Sequence, residues 1–206
     1  MDHSEILSYE EVERLARLFL ELGIRKIRVT GGEPLLRRDI ETLVARLACL
    51  PGLEDLALTT NGYKLFKQAH VLSQSGLQRV TISLDSLRRE RFEEITRSKD
   101  FDNVLKSITA AKEWKLEPIK VNCVIVRGVN DDEILDFAEF SRHQNITIRF
   151  IEFMPIDEDE KWTQDKVVTG EEILSVLKSQ YQLSELKRPA VSSTSRNYRF
   201  HDGKGK

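Results

Sequence analysis

Cysteine is nearly missing from this sequence. Its 206 residues hold only Cys49 and Cys123, far apart and in no Cys-x-x-Cys pattern, which argues against both a disulfide framework and a zinc site. Long apolar runs are missing too. No stretch approaches the roughly 20 residues of a membrane-spanning helix, and the opening MDHSEILSYEEVERL is too acidic for a secretion signal. A charge of one sign is also lacking: with 32 basic and 34 acidic residues the formal net charge is -2. No overall field therefore draws the protein to nucleic acid or membrane, although a local basic site is compatible with that balance. A cytoplasmic protein, or a mature organellar one, is expected. No linker or low-complexity segment divides the chain.

What is present is an alternation of helical and extended patterns. At 40% hydrophobic residues the chain can bury a substantial core, and one α/β domain is expected rather than two. Val12, Leu15, Ala16, Phe19 and Leu20 form one apolar helix face, Ser8 and Glu11 make a capping-box pair, and Gly23 is a stop. Strands are predicted near 25–30, 55–60, 79–84, 118–126 and 146–153. Between them RRDIETLVARLACL, KLFKQAHVLSQSG, the region from Leu87 to Trp114, and DDEILDFAEFSRHQ read as helical, with Asn130 and Glu133 offering a second capping box. A last helix near TGEEILSVLKSQY and a short strand within STSRNYRF follow. The order is that of a parallel sheet with right-handed crossovers.

Parallel strands are usually apolar on both faces, whereas these alternate. Ile27 and Val29, Leu56 and Leu58, Val80, Ile82 and Leu84, and Ile119, Val121, Cys123 and Ile125 give a face for helices to cover. The other face carries Lys26, Arg28 and Thr30, then Thr59 and Asn61, then Thr81, Ser83 and Asp85, then Lys120 and Asn122. Any one of these is more often a solvated or edge residue than a ligand contact. Four successive strands in agreement need a hydrated, ligand-filled interior, so an open barrel is the expected fold. TGGEP, TTNG, SLDS and EFMP fall at strand ends, where parallel α/β folds place ligand sites.

The TGGEP loop after the first strand does not suit phosphate. Glu33 would repel it, Pro34 removes an N–H, and neither GxGxxG nor GxxxxGK[ST] is present. Glycines permit close approach to the backbone, so loop carbonyls and Glu33 can accept hydrogen bonds from an ammonium group. In isolation the loop reads as a turn with a surface glutamate, and only the surrounding pattern raises the ligand reading above it.

TGGEP, LTTNG, ISLD, KVNCVIVRGVNDDE and IRFIEFMP together resemble the GTP 3′,8-cyclase family of radical S-adenosylmethionine enzymes, which opens molybdenum cofactor biosynthesis. GGEP alone is shared widely in the superfamily, while KVNCVIVRGVNDDE with RFIEFMP belongs to the cyclase branch. The resemblance runs from the first helix to about Trp162 and is looser beyond. It implies an incomplete barrel of strand–helix units, the α/β fold class of the radical SAM type. It sets Gly32 against the methionine end of S-adenosylmethionine, with Gly31 and Glu33 flanking it. Ser83 matches a serine contacting the same cofactor, and Met154 a methionine near its adenine. Arg28, Thr59 and Lys120 match residues that bind GTP. The implied reaction is abstraction of hydrogen from C3′ of GTP by a 5′-deoxyadenosyl radical, followed by attack on C8 to give 3′,8-cyclo-7,8-dihydro-GTP. GTP is the expected small-molecule partner and a homodimer the candidate assembly, in the cytoplasm or, in a eukaryote, the mitochondrion. No nucleic-acid or membrane partner is expected.

The chain departs from that family in its clusters. The family holds two 4Fe-4S clusters, one by CxxxCxxC ahead of the first helix and one by three cysteines in a C-terminal extension, and neither set is in this sequence. Cys49 and Cys123 read as buried small residues, so no metal ligand is assigned. The expectation is a fragment or truncated gene model: a single partial-barrel domain over 1–206, lacking the first strand and the C-terminal cluster region, with 163–206 as the start of the extension. Such a chain is expected to be inactive alone. Another radical S-adenosylmethionine enzyme, or a cluster-free nucleotide-binding module, are the alternatives.

Overall fold

The computed structural model describes residues 6–155, 162–187 and 195–205. Helix α1 (Tyr9–Glu21) is followed by β1 (Lys26–Val29), α2 (Ile40–Ala48), β2 (Asp55–Thr60), α3 (Leu65–Gln74) and β3 (Arg79–Ser83). Then come α4 (Arg89–Thr96), α5 (Phe101–Glu113), β4 (Lys120–Ile125), α6 (Ile134–Gln144), β5 (Thr147–Glu152) and α7 (Gly170–Gln180), and β6 (Leu183–Leu186) and β7 (Asn197–Phe200) close the chain. Strands β1 to β5 form one sheet in sequential order, with parallel pairing of β1 to β2, β2 to β3 and β4 to β5. The α/β class and all five expected strands are therefore present. Helices joining neighbouring parallel strands cover one face, which is why the alternation is readable in the sequence.

By compactness the chain divides into two units, Met1–Ile82 with Asp102–Ile119, and Ser83–Phe101 with Lys120–Lys206. The core of the first is built from Val44 and Leu47 of α2, Leu56 and Leu58 of β2, and Leu65 and Leu72 of α3, all essentially inaccessible. The second is built around Val121, Cys123 and Ile125 of β4 with Ile134 and Phe137 of α6. Phe92 and Phe101 stack at 5.4 Å in that unit.

Several local expectations are met and several corrected. The Ser8–Glu11 capping box forms, and Gly23 follows α1 with φ of 94°. A matching box joins Thr169 and Glu172 at the start of α7. The second box expected at Asn130 and Glu133 does not form: neither side chain caps α6, because both are engaged elsewhere. The α1 face is narrower than its pattern suggested, since Ala16 and Leu20 are buried while Leu15 and Phe19 are 41% and 50% exposed. Cys49 is exposed at the end of α2, whereas Cys123 is buried as expected. The strand in STSRNYRF is β7, paired antiparallel with β6; residues 193 and 194 lie outside the described residues.

Candidate functional site

In the first unit the site begins where β1 ends. Gly31 has φ of 140°, a conformation that side chains rarely adopt, and a side chain at Gly31 or Gly32 would meet only open space. The backbone of both glycines is thus accessible to a ligand. Glu33 has hydrogen-bond partners within the chain. Its Oε1 accepts from the Leu35 N–H at 3.0 Å and the Thr60 hydroxyl at 2.7 Å, and its Oε2 from the Asn61 N–H at 2.7 Å. A carboxylate has about four acceptor positions, so three are spent within the chain. Glu33 ties the GGEP loop to the TTNG turn, leaving an ammonium mainly to the loop carbonyls. The turn is secured further: Gly62 N–H donates to Thr60 Oγ1 at 3.0 Å, and the Ser107 hydroxyl donates to the Gly62 carbonyl.

Thr59 and Thr81 are register partners on β2 and β3, and the Oγ1 atoms of both are buried with no hydrogen-bond partner. An unpaired buried hydroxyl is costly and rare, and among the described residues neither hydroxyl is given a partner. Arg28 is exposed on β1, and with Lys26 it lowers the Asp55 carboxyl, although the hydrogen-bonded Arg79 guanidinium does most of that. A cavity of about 260 Å³ in this unit lies among Val12, Ala16, Ile27, Ile40, Leu43 and Leu47. Among the expected site residues only Arg28 lines it. Its wall is largely apolar, with Arg28, Thr30 and Arg37 as its polar members.

In the second unit Ser83 ends β3 half-buried, and the next N–H, of Leu84, donates to the Asn122 carbonyl at 2.9 Å. Asp85 Oδ1 accepts from the Val124 N–H at 2.8 Å. Burial pushes the Asp85 carboxyl above the ordinary range, against the opposing pull of that hydrogen bond. Burial likewise raises the Cys123 thiol, helped by Asp85 and Glu133. Lys120 and Asn122 stand two apart on β4, opposite Thr147 and Arg149 of β5 in the register. Registered residues of parallel neighbours share a side, so Lys120, Asn122 and Arg149 do. Asn122 Oδ1 is buried without a partner. Met154 follows β5 and is 48% exposed. Sequence reasoning assigned no role to Arg149 or Thr60 and set Asp85 only on the polar face.

In the first unit the residues fit S-adenosylmethionine, with an open glycine backbone for its polar end and the unpaired Thr59 and Thr81 hydroxyls on β2 and β3. They do not fit an iron–sulfur cluster. No group of three or more His, Cys, Asp or Glu among the described residues is placed to hold a metal ion, and the two thiols lie on an exposed helix end and a buried strand face. No helix among the described residues is long and apolar enough to cross a membrane.

Residues 1–141 match the model of the Radical SAM superfamily, and residues 146–206 that of Molybdenum Cofactor Synthesis C. The chain belongs to the radical SAM superfamily. It is 42% identical over 205 residues to a GTP 3′,8-cyclase of Syntrophomonas wolfei, covering 100% of this chain and 63% of that protein. A mitochondrial GTP 3′,8-cyclase of Arabidopsis thaliana is 44% identical, covering 94% of this chain and 50% of that protein. The chain thus spans between half and 63% of the length of these two relatives. Among solved structures, a histidine-tagged anSMEcpe with bound AdoMet aligns at a TM-score of 0.65 with 18% identity, over 85% of this chain and 49% of that one. That likeness supports the fold alone.

Proposed function

We propose that this chain supplies the S-adenosylmethionine and GTP contacts of a GTP 3′,8-cyclase, the first enzyme of molybdenum cofactor biosynthesis. The observation that carries the reading is the 42% identity to a protein of that name across the full chain. The unpaired hydroxyls of Thr59 and Thr81, partners in the β2–β3 register, support it. Gly31 and Gly32 receive the methionine end of S-adenosylmethionine, which supplies a 5′-deoxyadenosyl radical once reduced. Ser83 contacts the same molecule, and Met154 packs near its adenine. Arg28, Thr59 and Lys120 hold GTP, with the two cations offsetting its negative charge. The protein's own work is to orient C3′ and C8 of the nucleotide and to exclude water while a reactive carbon radical exists. Two 4Fe-4S clusters accompany this chemistry in the family, and no described residue of this chain is assigned to them.

Calorimetric titration of both ligands into the purified protein, beside Lys120→Ala and Ser83→Ala, tests the assignment. Loss of a charge-assisted contact costs about 1.5–3 kcal/mol, so Lys120→Ala should weaken GTP roughly tenfold to hundredfold. S-adenosylmethionine should hardly change in that variant, and the reverse is expected for Ser83→Ala. Weakened S-adenosylmethionine with unchanged GTP in Lys120→Ala would mean that the two ligand sets are exchanged. Binding of GTP with no affinity for S-adenosylmethionine would instead favour a cluster-free nucleotide module.

A further inference from the structure

Asn130 and Glu133 belong to RGVNDDE, a motif to which neither ligand gives a task. They are fully buried, and their spacing resembles a capping box that the fold declines to make. Their side chains reach back to β3 and β4 instead. Asn130 Nδ2 donates to the Asp85 carbonyl at 2.7 Å and to the Val124 carbonyl at 2.8 Å, while its Oδ1 accepts from the Val126 N–H at 2.8 Å. Glu133 Oε1 accepts from the Ser86 hydroxyl at 2.8 Å, and Oε2 from the Leu87 N–H at 2.7 Å. Arg91 Nη1 donates to Glu133 Oε1 at 2.6 Å and so neutralises it. Each residue from Leu84 to Leu87 is therefore bonded to β4 or to the segment leading into α6, directly after Ser83.

We propose that Asn130 and Glu133 are positioning residues that fix the end of β3, and with it the Ser83 contact to S-adenosylmethionine. The proposal rests on the functional reading given above for Ser83. Three features support a geometric task over a merely stabilising one. A buried ion pair contributes little net stability compared with apolar packing, so Arg91–Glu133 is a poor device for stability alone. Every bond from the two side chains to the SLDS segment goes to the three residues just beyond Leu84, and none reaches the start of β3. Finally, Asn130 spends both amide donors on carbonyls of two different strand ends, so it sets their separation as well as their order. Lys120, at the opposite end of β4, lies outside this set of bonds, so the pair should act on one ligand only.

Two near-isosteric variants separate the task from folding. Asn130→Asp keeps the acceptor for Val126 but replaces the one nitrogen that makes both donations with an oxygen facing two carbonyls. Glu133→Gln keeps the volume but removes the charge that meets Arg91 and places an amide against the Leu87 N–H. Hydrogen exchange of the ligand-free protein should accelerate at Leu84 to Arg88 in both. S-adenosylmethionine affinity should fall roughly tenfold, the effect of one displaced contact, with GTP affinity unchanged within about threefold. Phe137→Leu on α6, which lowers stability without touching the bonds, should leave both affinities unchanged. The proposal is overturned by unaltered exchange at Leu84 to Arg88, by faster exchange with unaltered S-adenosylmethionine affinity, or by an equal fall in both affinities. The exchange measurement needs no ligand, so a protein that binds neither ligand would defeat the functional reading while the clasp was still judged by exchange.

Discussion

At the scale of single residues, two carboxylates of this chain respond to acid in opposite directions. Burial raises Asp85 above its ordinary value, so keeping it ionised works against the folded state. That penalty is absent below the unfolded value, about 3.9, and complete above the raised folded value. Asp55 is depressed, chiefly by the Arg79 hydrogen bonds. Its stabilisation is present above the unfolded value and lost as pH falls through the folded one. Asp85→Asn keeps an acceptor for the Val124 N–H and should raise the melting temperature at pH 7 by about 2–4 °C, the shift expected for about 1 kcal/mol in a chain of this size. The gain should close towards about pH 4. Asp55→Asn should lower it at pH 7, with the loss also shrinking in acid. Melting curves at the two pH values check both signs; a gain for Asp85→Asn that grew in acid would contradict the desolvation account.

At the scale of elements, helix starts divide into those that local chemistry decides and one that tertiary bonds override. The boxes at Ser8 and Thr169 are made by residues three apart whose box bonds form within the chain's own turn, Glu172 keeping its second oxygen for Arg127, and Ser8→Ala should cost about 1 kcal/mol of stability, read from denaturant unfolding. A cost near zero would mean α1 is held by packing alone. Asn130 and Glu133 have the same spacing in sequence, but the Asp85 and Val124 carbonyls lie within reach of Asn130, and the Ser86 hydroxyl, the Leu87 N–H and Arg91 within reach of Glu133, and pattern alone cannot register that competition. The same distinction explains the strands. Pattern located all five near their observed limits, most plainly in β4, where buried and half-buried residues alternate along the strand. It could not disclose that Glu33 is spent on Thr60 and Asn61, since a hydrogen bond across 27 residues leaves no periodic trace. Exposure of Leu15 and Phe19 was equally hidden, for the width of a helix's buried face depends on what it packs against. Strand β1 ends the sheet order, and an edge strand has one unpaired side. Amide exchange from Lys26 to Val29 should therefore be faster than from Leu56 to Thr59; strong protection would show that the edge is covered, as by self-association.

At the scale of the molecule, ligand contacts and redox ligands are separable in this chain. The residues proposed to contact S-adenosylmethionine and GTP lie on strands and strand ends, while Cys49 is exposed at the end of α2, Cys123 is buried in β4, and no metal-holding group is found among the described residues. Anaerobic reconstitution of the chain with iron and sulfide should leave it without stoichiometric cluster, and a stoichiometric iron–sulfur spectrum would contradict that. The central claim, that the polar side of the sheet and not the apolar cavity by α1 receives the ligands, is tested most directly by hydrogen exchange with saturating S-adenosylmethionine and GTP. Protection should appear at Gly31 to Glu33, Thr59 to Gly62 and Ser83 to Leu87, with no change at Val12, Ala16 or Leu43. Protection confined to the residues around that cavity, or none on the sheet, would contradict the account.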